Sequence, residues 1–567
     1  MGGANAALGA LDVAVIAAYL IGIAAVGIAA GYRRHATSEQ YFLASKSLGW
    51  FSIGAALFAS NISTIHLVGL AASGAKEGLV IGNFEWMASF CLIVLGLVFA
   101  PFYVRTRITT LPEFLERRYG PSARAVLALI GIAGALLIHI GISLFAAAKL
   151  FESFLGIGVM TSIWVVSSVT VVYTVLGGLK GVVVTETLQS FLLLGGAVLV
   201  TGLGLNYLAD AGIRDAASFR AALPPDQLSM IHPLRDAQGQ LNSYSWLAVL
   251  LGYPILGIWY WCTDQTIVQR VLGARNESDA QKGPLFAGFL KILPVFLMVL
   301  PGAIGYVMFR RGDLQLKGAD GGPDYNLVLP EMVNRLVPVG LKGLLAAGML
   351  AALMSTIASA LNSCATLISV DIVRKLRPGT SDARQVAIGR VSTGVVMVLA
   401  MLWSTQGDQF GSIFEAINKI PMVFAPAVTT VFLLGVFWRR GTSAAALATF
   451  AASCALGAVY FVLDLPGVGR AMIDAPRVGF QGLVTDPVQG LGLPFMLVGP
   501  MLAAFSVVVY VATSLATPAP APETVRDVCW AHPLAFLRQG RLAGAGDPRV
   551  VASALLILMV VLYAALR

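Results

Sequence analysis

Five polar side chains lie close together in the middle of an apolar stretch of the chain. Ser60, Asn61, Ser63, Thr64 and His66 fall within a run that extends from about residue 50 to residue 73. The run is long enough to cross a bilayer, where polar groups are costly unless they face protein, water or a ligand. It is therefore either a broken helix that binds something small and polar, or a helix with an unusually hydrated packing face.

A second concentration of hydroxyl groups lies at Ser355 and Thr356, inside the apolar run 341–374. Hydroxyl oxygens, together with helix carbonyls freed at an unwound segment, suit a weakly held hard cation such as Na⁺. The alternative is that small residues here let helices pack closely, with hydroxyls bonded to their own backbone. For Ser359 and Ser363 we favour this packing interpretation.

Two charged residues lie inside apolar runs. Glu85 stands in the run 79–104, and its carboxylate could accept two hydroxyl protons from a ligand. Lys291 lies roughly 12 Å along its helix from the start of the run 281–310, a depth from which the side chain reaches water only with difficulty. We predict that both face the protein interior. The alternative is that they pair with each other and never contact a ligand.

The composition identifies the class of protein. Of 567 residues, 57% are hydrophobic and only 12% are charged, whereas soluble domains carry about a quarter charged residues. The chain is therefore predicted to be an all-α polytopic membrane protein that is embedded in the lipid bilayer. The net charge of +9 reflects membrane topology and not nucleic-acid binding, because the basic residues concentrate in alternate loops.

Apolar runs long enough to span the bilayer number about 14. They lie near residues 10–31, 50–76, 79–104, 123–152, 158–178, 182–208, 243–268, 281–310, 341–374, 385–405, 411–437, 442–464, 492–516 and 549–566. Well over half of the 38 Lys and Arg residues fall on one side if both termini are placed outside the cytosol. We therefore predict a multi-pass protein of the inner (plasma) membrane with both termini outside.

The run 243–268 is interrupted like the run 50–76. Gly252, Pro254 and Gly257 precede the sequence WYWCTDQ at 259–265. Interrupted helices that open each of two five-helix halves are typical of inverted-repeat transporters, which bind their ligands where the breaks face each other. We predict a first repeat at 50–208, an extracellular loop at 209–242 and a second repeat at 243–437. Residues 1–49 would form a peripheral helix with a cytosolic loop, and residues 438–567 peripheral C-terminal helices.

Several motifs resemble those of the solute:sodium symporter family, and most closely its sodium/glucose cotransporter branch. They are FLASKSLGW at 42–50, FASNIS at 58–63, GLKG at 178–181, WYWCTDQ at 259–265, IVQR at 267–270 and NSCAT at 362–366. The resemblance extends from about residue 10 to residue 440. It implies a five-plus-five inverted-repeat core whose repeats each begin with a broken helix.

The resemblance implies a set of sodium ligands. Backbone carbonyls would come from Ala59, Ile62 and Ala352, and side-chain oxygens from Ser355 and Thr356. Relatives with a second sodium ion hold it near an acid that corresponds to Glu186, and Ser60 also matches that second site. Because Ala358 stands where such relatives have a hydroxyl, we expect one sodium ion per cycle. Glu186 could instead be an interfacial charge paired with Lys180.

The resemblance also implies a set of solute-binding residues. They are Asn61, His66, Glu85, Ser143, Trp261, Lys291 and Asn418, with Tyr260 as an inner gate that closes over the ligand. The alternatives are that Tyr260 and Trp261 are packing aromatics, and that His66 is an interface histidine. This chain departs from the sugar-transporting pattern at Asn418, at Ser143 and at Gly257, which stands where relatives often have a hydroxyl or amide. Glu415 precedes Asn418 and Lys419 follows it. The positive charge of Lys419 leaves open the possibility that the solute is acidic.

The sequence thus predicts a sodium-coupled symporter that imports a small polar solute by alternating access. The leading candidate solute is a monosaccharide such as glucose or galactose. The alternatives are a polyol, sialic acid, a carboxylate or an amino acid, and a membrane sensor that binds solute without transport. No nucleophile–base pair stands out, so we expect no enzymatic activity, no organic cofactor and no metal other than Na⁺, in a monomeric protein.

Overall fold

The protein is all-helical in the part of the chain that its computed structural model describes. That part comprises residues 9–31, 37–235, 239, 241–318, 321–405, 419–464, 495–538, 542 and 544–567, without the side chains of 64–65 and 153–155. Within these residues there are isolated β-bridges but no strand. The predicted fold class, an all-α polytopic membrane protein, is confirmed.

The membrane helices and the segments that continue them follow one another along the chain. They are α1 (Ala10–Gly31), α2 (Trp50–Asn61), α3 (Thr64–Lys76), α4 (Leu79–Arg105), α5 (Pro121–Glu152), α6 (Val159–Asp210), α7 (Trp246–Thr263), α8 (Gln265–Leu272), α9 (Glu277–Arg310), α10 (Leu341–Leu376), α11 (Asp382–Ser404), α12 (Ala425–Phe437), α13 (Ser443–Leu463), α14 (Phe495–Ala516) and α15 (Pro548–Ala565). Shorter helices are Ser38–Leu43, Leu111–Tyr119, Ala216–Ala221, Val328–Leu336 and Pro522–Arg526.

Eleven helices of the described part are long and apolar enough to cross a membrane, or twelve if α2 and α3 count as one bent span. The predicted number of fourteen is not confirmed by this count. One reason is α6, whose 52 residues cover two predicted spans. Its helical geometry is interrupted at Gly178, where φ is +55°, a value that glycine adopts without steric cost.

Both predicted interruptions are present. Between α2 and α3 the chain bends by 62° through the extended residues Ile62 and Ser63. Ser63 then begins α3, and its N–H donates to Nδ1 of His66. The second interruption follows a π-helical turn at the end of α7, where Asp264 is extended. The carboxylate of Asp264 accepts the N–H of Thr266 at 2.7 Å and so begins α8.

Helix α10 lies at the centre of the molecule. In its most apolar window 94% of the residues are buried, and α1, α6 and α11 pack around it. Its many alanine, glycine and serine residues allow neighbouring backbones to approach closely, which is how membrane helices associate without a strong hydrophobic driving force between them.

The two ends of the described chain lie on one face of the molecule. Asp12, near the start of α1, accepts the N–H groups of Gly340 and Gly343 at 2.8 and 2.7 Å. The carbonyl of Leu566 accepts the N–H of Met230 at 2.8 Å. We call this side, which carries the connections 211–235 and 321–340, the loop face. The opposite side, which carries the ends of α4 and α10 and the helix Leu111–Tyr119, is called the basic face.

Replacing Gly31 by alanine is expected to destabilise the crossing of α1 and α6. A Cβ atom at Gly31 would lie 2.3 Å from Cα of Gly177, so one backbone must move. Overpacking of this kind costs about 1–3 kcal/mol, which should appear as a lower melting temperature in detergent. The matched control is Gly22→Ala on the same helix, where a Cβ meets nothing within 4 Å. Equal melting temperatures for the two variants would contradict the prediction.

Candidate functional site

Backbone and hydroxyl oxygens of α2 and α10 meet at the first interruption. The Ser355 hydroxyl lies 2.8 Å from the carbonyl oxygens of both Ala59 and Ala352. The Thr356 hydroxyl lies 3.0 Å from the Ser60 carbonyl and 3.2 Å from that of Ala352. A cluster of uncharged oxygens of this kind has the donor chemistry that a hard monovalent cation requires.

The break in the helix explains why these carbonyls are available. In a continuous helix the carbonyls of Ala59 and Ser60 would accept the N–H groups four residues later, but the chain is extended at Ile62 and Ser63. Three predicted ligands, Ala59, Ala352 and Ser355, therefore lie together, with Thr356 beside them. Ile62 differs, because no described hydrogen bond joins it to Ser355 or Thr356. The carbonyl of Ser60, which the resemblance did not supply, accepts the hydrogen bond from Thr356.

Glu186 is held by a different partner from the one that the sequence suggested. Its carboxylate accepts hydrogen bonds from Nε of Arg270 on α8 at 3.0 Å, from Nη2 of the same residue, and from the hydroxyl of Ser359. Glu186, Arg270 and Ser359 are all buried. The alternative that the sequence left open, a pairing with Lys180, is thus replaced by a pairing with Arg270. Among the described contacts, none joins Glu186 to Ser60, whose hydroxyl donates to the carbonyl of Leu57.

A cavity of about 150 Å³ adjoins the first interruption. Its lining contains six of the predicted solute-binding and gating residues: Asn61, His66, Glu85, Ser143, Tyr260 and Trp261. Thr356 of the oxygen cluster also lines it. The two groups of candidate residues, which are far apart in sequence, therefore share one wall.

Lys291 stands just behind the cavity wall and holds the polar groups in place. Its ammonium group bonds both the Glu85 carboxylate and the Asn61 amide oxygen, and it lies 5.4 Å from the centre of the Trp261 ring. The amide nitrogen of Asn61 in turn donates to the Tyr260 hydroxyl at 3.1 Å. The pairing of Glu85 with Lys291, which the sequence analysis left as an alternative to solute binding, is thus present, and Glu85 also lines the cavity.

The backbone positions Lys291 and His66. Lys291 lies at a turn within α9, just before Pro294, which lacks the N–H that would continue the helix. For His66, Nδ1 accepts the N–H of Ser63 at 3.1 Å, so in the neutral ring the proton is on Nε2. That nitrogen lies 4.0 Å from Glu85 Oε1.

Sequence reasoning missed two residues of this region, His139 and Asp264. His139 lines the cavity, and its Nε2 lies 2.8 Å from Oδ2 of Asp264. A usable signal was present, because an ionisable residue in the middle of an apolar run is by default a functional candidate. Trp259 also lines the cavity, with its ring parallel to that of His139.

The departures from the sugar-transporting pattern are partly explained. Asn418 and Glu415 lie outside the described residues. Lys419 pairs with the buried Asp464 at 2.8 Å. At Gly257 a Cβ would lie 2.6 Å from the sulfur of Cys91, so a side chain there would collide with α4.

A network of charges lies on the basic face. Arg124 binds Asp371 at 2.6 Å and Glu116 at 2.5 Å, and Lys375 binds Glu116 at 2.7 Å. Desolvation alone would raise the pKa of Glu116, but hydrogen bonds from Lys375 and Arg124 outweigh it and hold that pKa below its usual value. This network joins α5, α10 and the short helix Leu111–Tyr119.

Comparisons with known proteins agree with this architecture. Residues 41–452 match the profile of the sodium:solute symporter family. The chain is 32% identical over 544 residues to sodium/myo-inositol cotransporter 2 of Oryctolagus cuniculus, covering 92% of this chain and 78% of that protein. It is 34% identical over 458 residues to sodium/glucose cotransporter 2 of Rattus norvegicus, covering 76% and 68%. The fold is similar, at a TM-score of 0.71 and 20% identity, to a Na⁺-coupled sialic acid symporter in a substrate-bound outward-open state, covering 90% of this chain and 99% of that one.

Proposed function

Because the chain belongs to the sodium:solute symporter family, and is therefore a sodium-coupled symporter and not an enzyme, we propose that it imports a small neutral solute rich in hydroxyl groups. The first candidate is a monosaccharide such as glucose or galactose. A cyclic polyol is the second, since relatives named for myo-inositol are as similar to this chain as those named for glucose.

One observation carries this proposal: the charges at the cavity are compensated. Glu85 is the only acidic residue that lines it among the described residues, and Lys291 neutralises Glu85. Lys419, whose charge made an acidic solute a possible substrate in the sequence analysis, pairs with Asp464. A carboxylate solute would need a cation that is not already bound, whereas hydroxyl groups can use the amide, carboxylate and imidazole groups present.

The shared wall offers a route for coupling sodium to solute. Thr356 contributes an oxygen to the proposed ion site and also lines the solute cavity. Asn61, the last residue of α2, follows Ser60 directly and bonds Lys291 and Tyr260. An ion that orders the carbonyls at the break would therefore order the solute-binding amide, so that each ligand favours the same conformation. We propose one sodium ion per cycle, because Arg270 already neutralises Glu186.

We further propose that the basic face is cytosolic and that both termini lie outside. The basic side chains of the ends of α4 and α10 support this orientation through the positive-inside tendency. The contacts of Asp12 and Leu566 with the loop face support placing both ends on the other side. Tyr260 would then close the cavity toward the cytosol.

The function is tested by counterflow in proteoliposomes that contain the purified protein. The panel comprises glucose, galactose, myo-inositol, sialic acid and an amino acid, each with Na⁺ or with K⁺ in its place. Sodium-dependent exchange of a sugar or cyclic polyol is expected. Exchange that does not depend on Na⁺ would refute sodium symport. Exchange of sialic acid alone, or of the amino acid alone, would refute the proposal that the solute is neutral and rich in hydroxyl groups.

Replacing Trp261 by alanine is expected to weaken the apparent affinity for the transported solute about tenfold or more, because a stacked aromatic plane contributes about 1–3 kcal/mol. The measurement is the solute concentration for half-maximal uptake at saturating Na⁺. Trp164→Ala provides a matched control, since that indole is 60% exposed on the outside of the helix bundle. An unchanged affinity in the Trp261 variant would exclude contact with the solute.

A further inference from the structure

A buried histidine–carboxylate pair stands where the cavity meets the second interruption. His139 belongs to a π-helical stretch of α5, Ala135–Ile142, and lines the cavity. Its Nε2 lies 2.8 Å from Oδ2 of Asp264. Only 6% of His139 and 7% of Asp264 is exposed, so the pair is shielded from bulk water. Neither residue belongs to the set that the resemblance implied.

The two members of the pair face different sides. His139 lines the solute cavity, whereas Asp264 does not and instead lines a second, smaller cavity beside Gln265 and Leu111. The other carboxylate oxygen of Asp264 accepts the N–H of Thr266 at the start of α8. Asp264 is thus fixed by the helix that it begins, and it can orient the imidazole without reaching the solute.

Aromatic rings restrict the imidazole further. The His139 ring is parallel to that of Trp259 at a centroid distance of 6.4 Å, and it lies 5.6 Å from the centroid of Tyr260. When the Nε2–H donates to Asp264, the neutral ring keeps Nδ1 as a hydrogen-bond acceptor. A fixed acceptor in a shielded wall selects for a ligand that brings a donor to that place.

We propose that His139 binds the solute by accepting a hydrogen bond from one particular hydroxyl group, and that Asp264 is its positioning residue. This inference rests on the proposed function and specifies it further: the solute must carry a hydroxyl, and not an ether or a deoxy carbon, at the position that faces α5. It also gives the second broken helix a part in recognition, since Asp264 links the solute contact to the start of α8.

The test measures apparent affinities for the transported solute and for each of its monodeoxy analogues. In the unaltered protein, loss of the hydroxyl that faces His139 should weaken affinity about tenfold. In His139→Ala the loss of affinity caused by removing that hydroxyl should disappear, while the losses of affinity caused by removing the other hydroxyls remain. We call each such loss the penalty at that position. His139→Gln, whose amide oxygen also accepts hydrogen bonds, should restore part of the penalty that His139→Ala removes. His232→Ala in the loop 211–235 is the matched control and should leave every penalty unchanged.

Asp264→Asn separates positioning from folding, because asparagine still begins a helix well. It should reduce the same hydroxyl-specific penalty as His139→Ala, and it should add nothing further in the His139→Ala background. Equal weakening for all analogues in His139→Ala and His139→Gln would show a structural role and overturn the inference. If the unaltered protein exchanges no sugar or polyol, the proposed function fails and this inference with it. If it does exchange one and the penalties do not change in the variants, only the inference fails.

Discussion

Replacing Ser355 and Thr356 together by alanine is expected to raise the sodium concentration for half-maximal uptake by about 10- to 100-fold. The reason is that both hydroxyls lie within 3.2 Å of the carbonyls at the break, and their loss removes two oxygens of the proposed ion site. The measurement is a sodium titration of solute uptake in proteoliposomes. Ser355→Ala alone should raise the sodium requirement but leave the solute affinity unchanged at saturating Na⁺, because Ser355 does not line the solute cavity.

Ser363→Ala is the control on the same helix. Ser363 is buried, and its hydroxyl has no hydrogen-bond partner in the described structure, so its removal should leave the sodium titration unchanged. A double variant at Ser355 and Thr356 that needs no more sodium than the unaltered protein would contradict the proposed ion site. It would favour the alternative in which these hydroxyls serve only to pack α2 against α10.

The course of the chain through the membrane could be predicted because a bilayer leaves the backbone few options. Apolar runs of sufficient length must be helical, and interruptions are tolerated only where protein or a cavity meets the freed backbone groups. The polar residues from Ser60 to His66 and the sequence before Asp264 therefore located both breaks. The division of α6 was also located, since the predicted spans 158–178 and 182–208 meet at Gly178, where the helical geometry is interrupted.

Pairings between helices could not be predicted in the same way. Lys180 is close to Glu186 in sequence, but six residues of helix turn the two side chains toward different directions. Arg270, 84 residues away, is the partner because the fold brings its guanidinium group within hydrogen-bond distance of the Glu186 carboxylate. The same applies to His139 and Asp264, which are 125 residues apart. Sequence identifies such residues as functional candidates, whereas only the packing of α5 against the second break shows that they meet.

Replacing Lys291 by methionine is expected to reduce uptake at least 100-fold and to lower the melting temperature of the protein. The variant leaves Glu85, which is 2% exposed, as a buried charge without its partner, and breaking a buried pair in this way costs about 3–5 kcal/mol. It also releases Asn61 from the ammonium group. Both quantities are measurable, as solute uptake in proteoliposomes and as thermal unfolding in detergent.

The double variant Glu85→Gln with Lys291→Met distinguishes the two interpretations of this pair. It removes both charges together, so much of the lost stability should return. Uptake should stay low, because the carboxylate that accepts solute hydroxyls is gone. Glu277→Gln, which breaks the exposed pair with Arg105 on the basic face, should change neither quantity appreciably. Recovery of both stability and uptake in the double variant would mean that Glu85 and Lys291 only hold α4 and α9 together, and that other residues bind the solute.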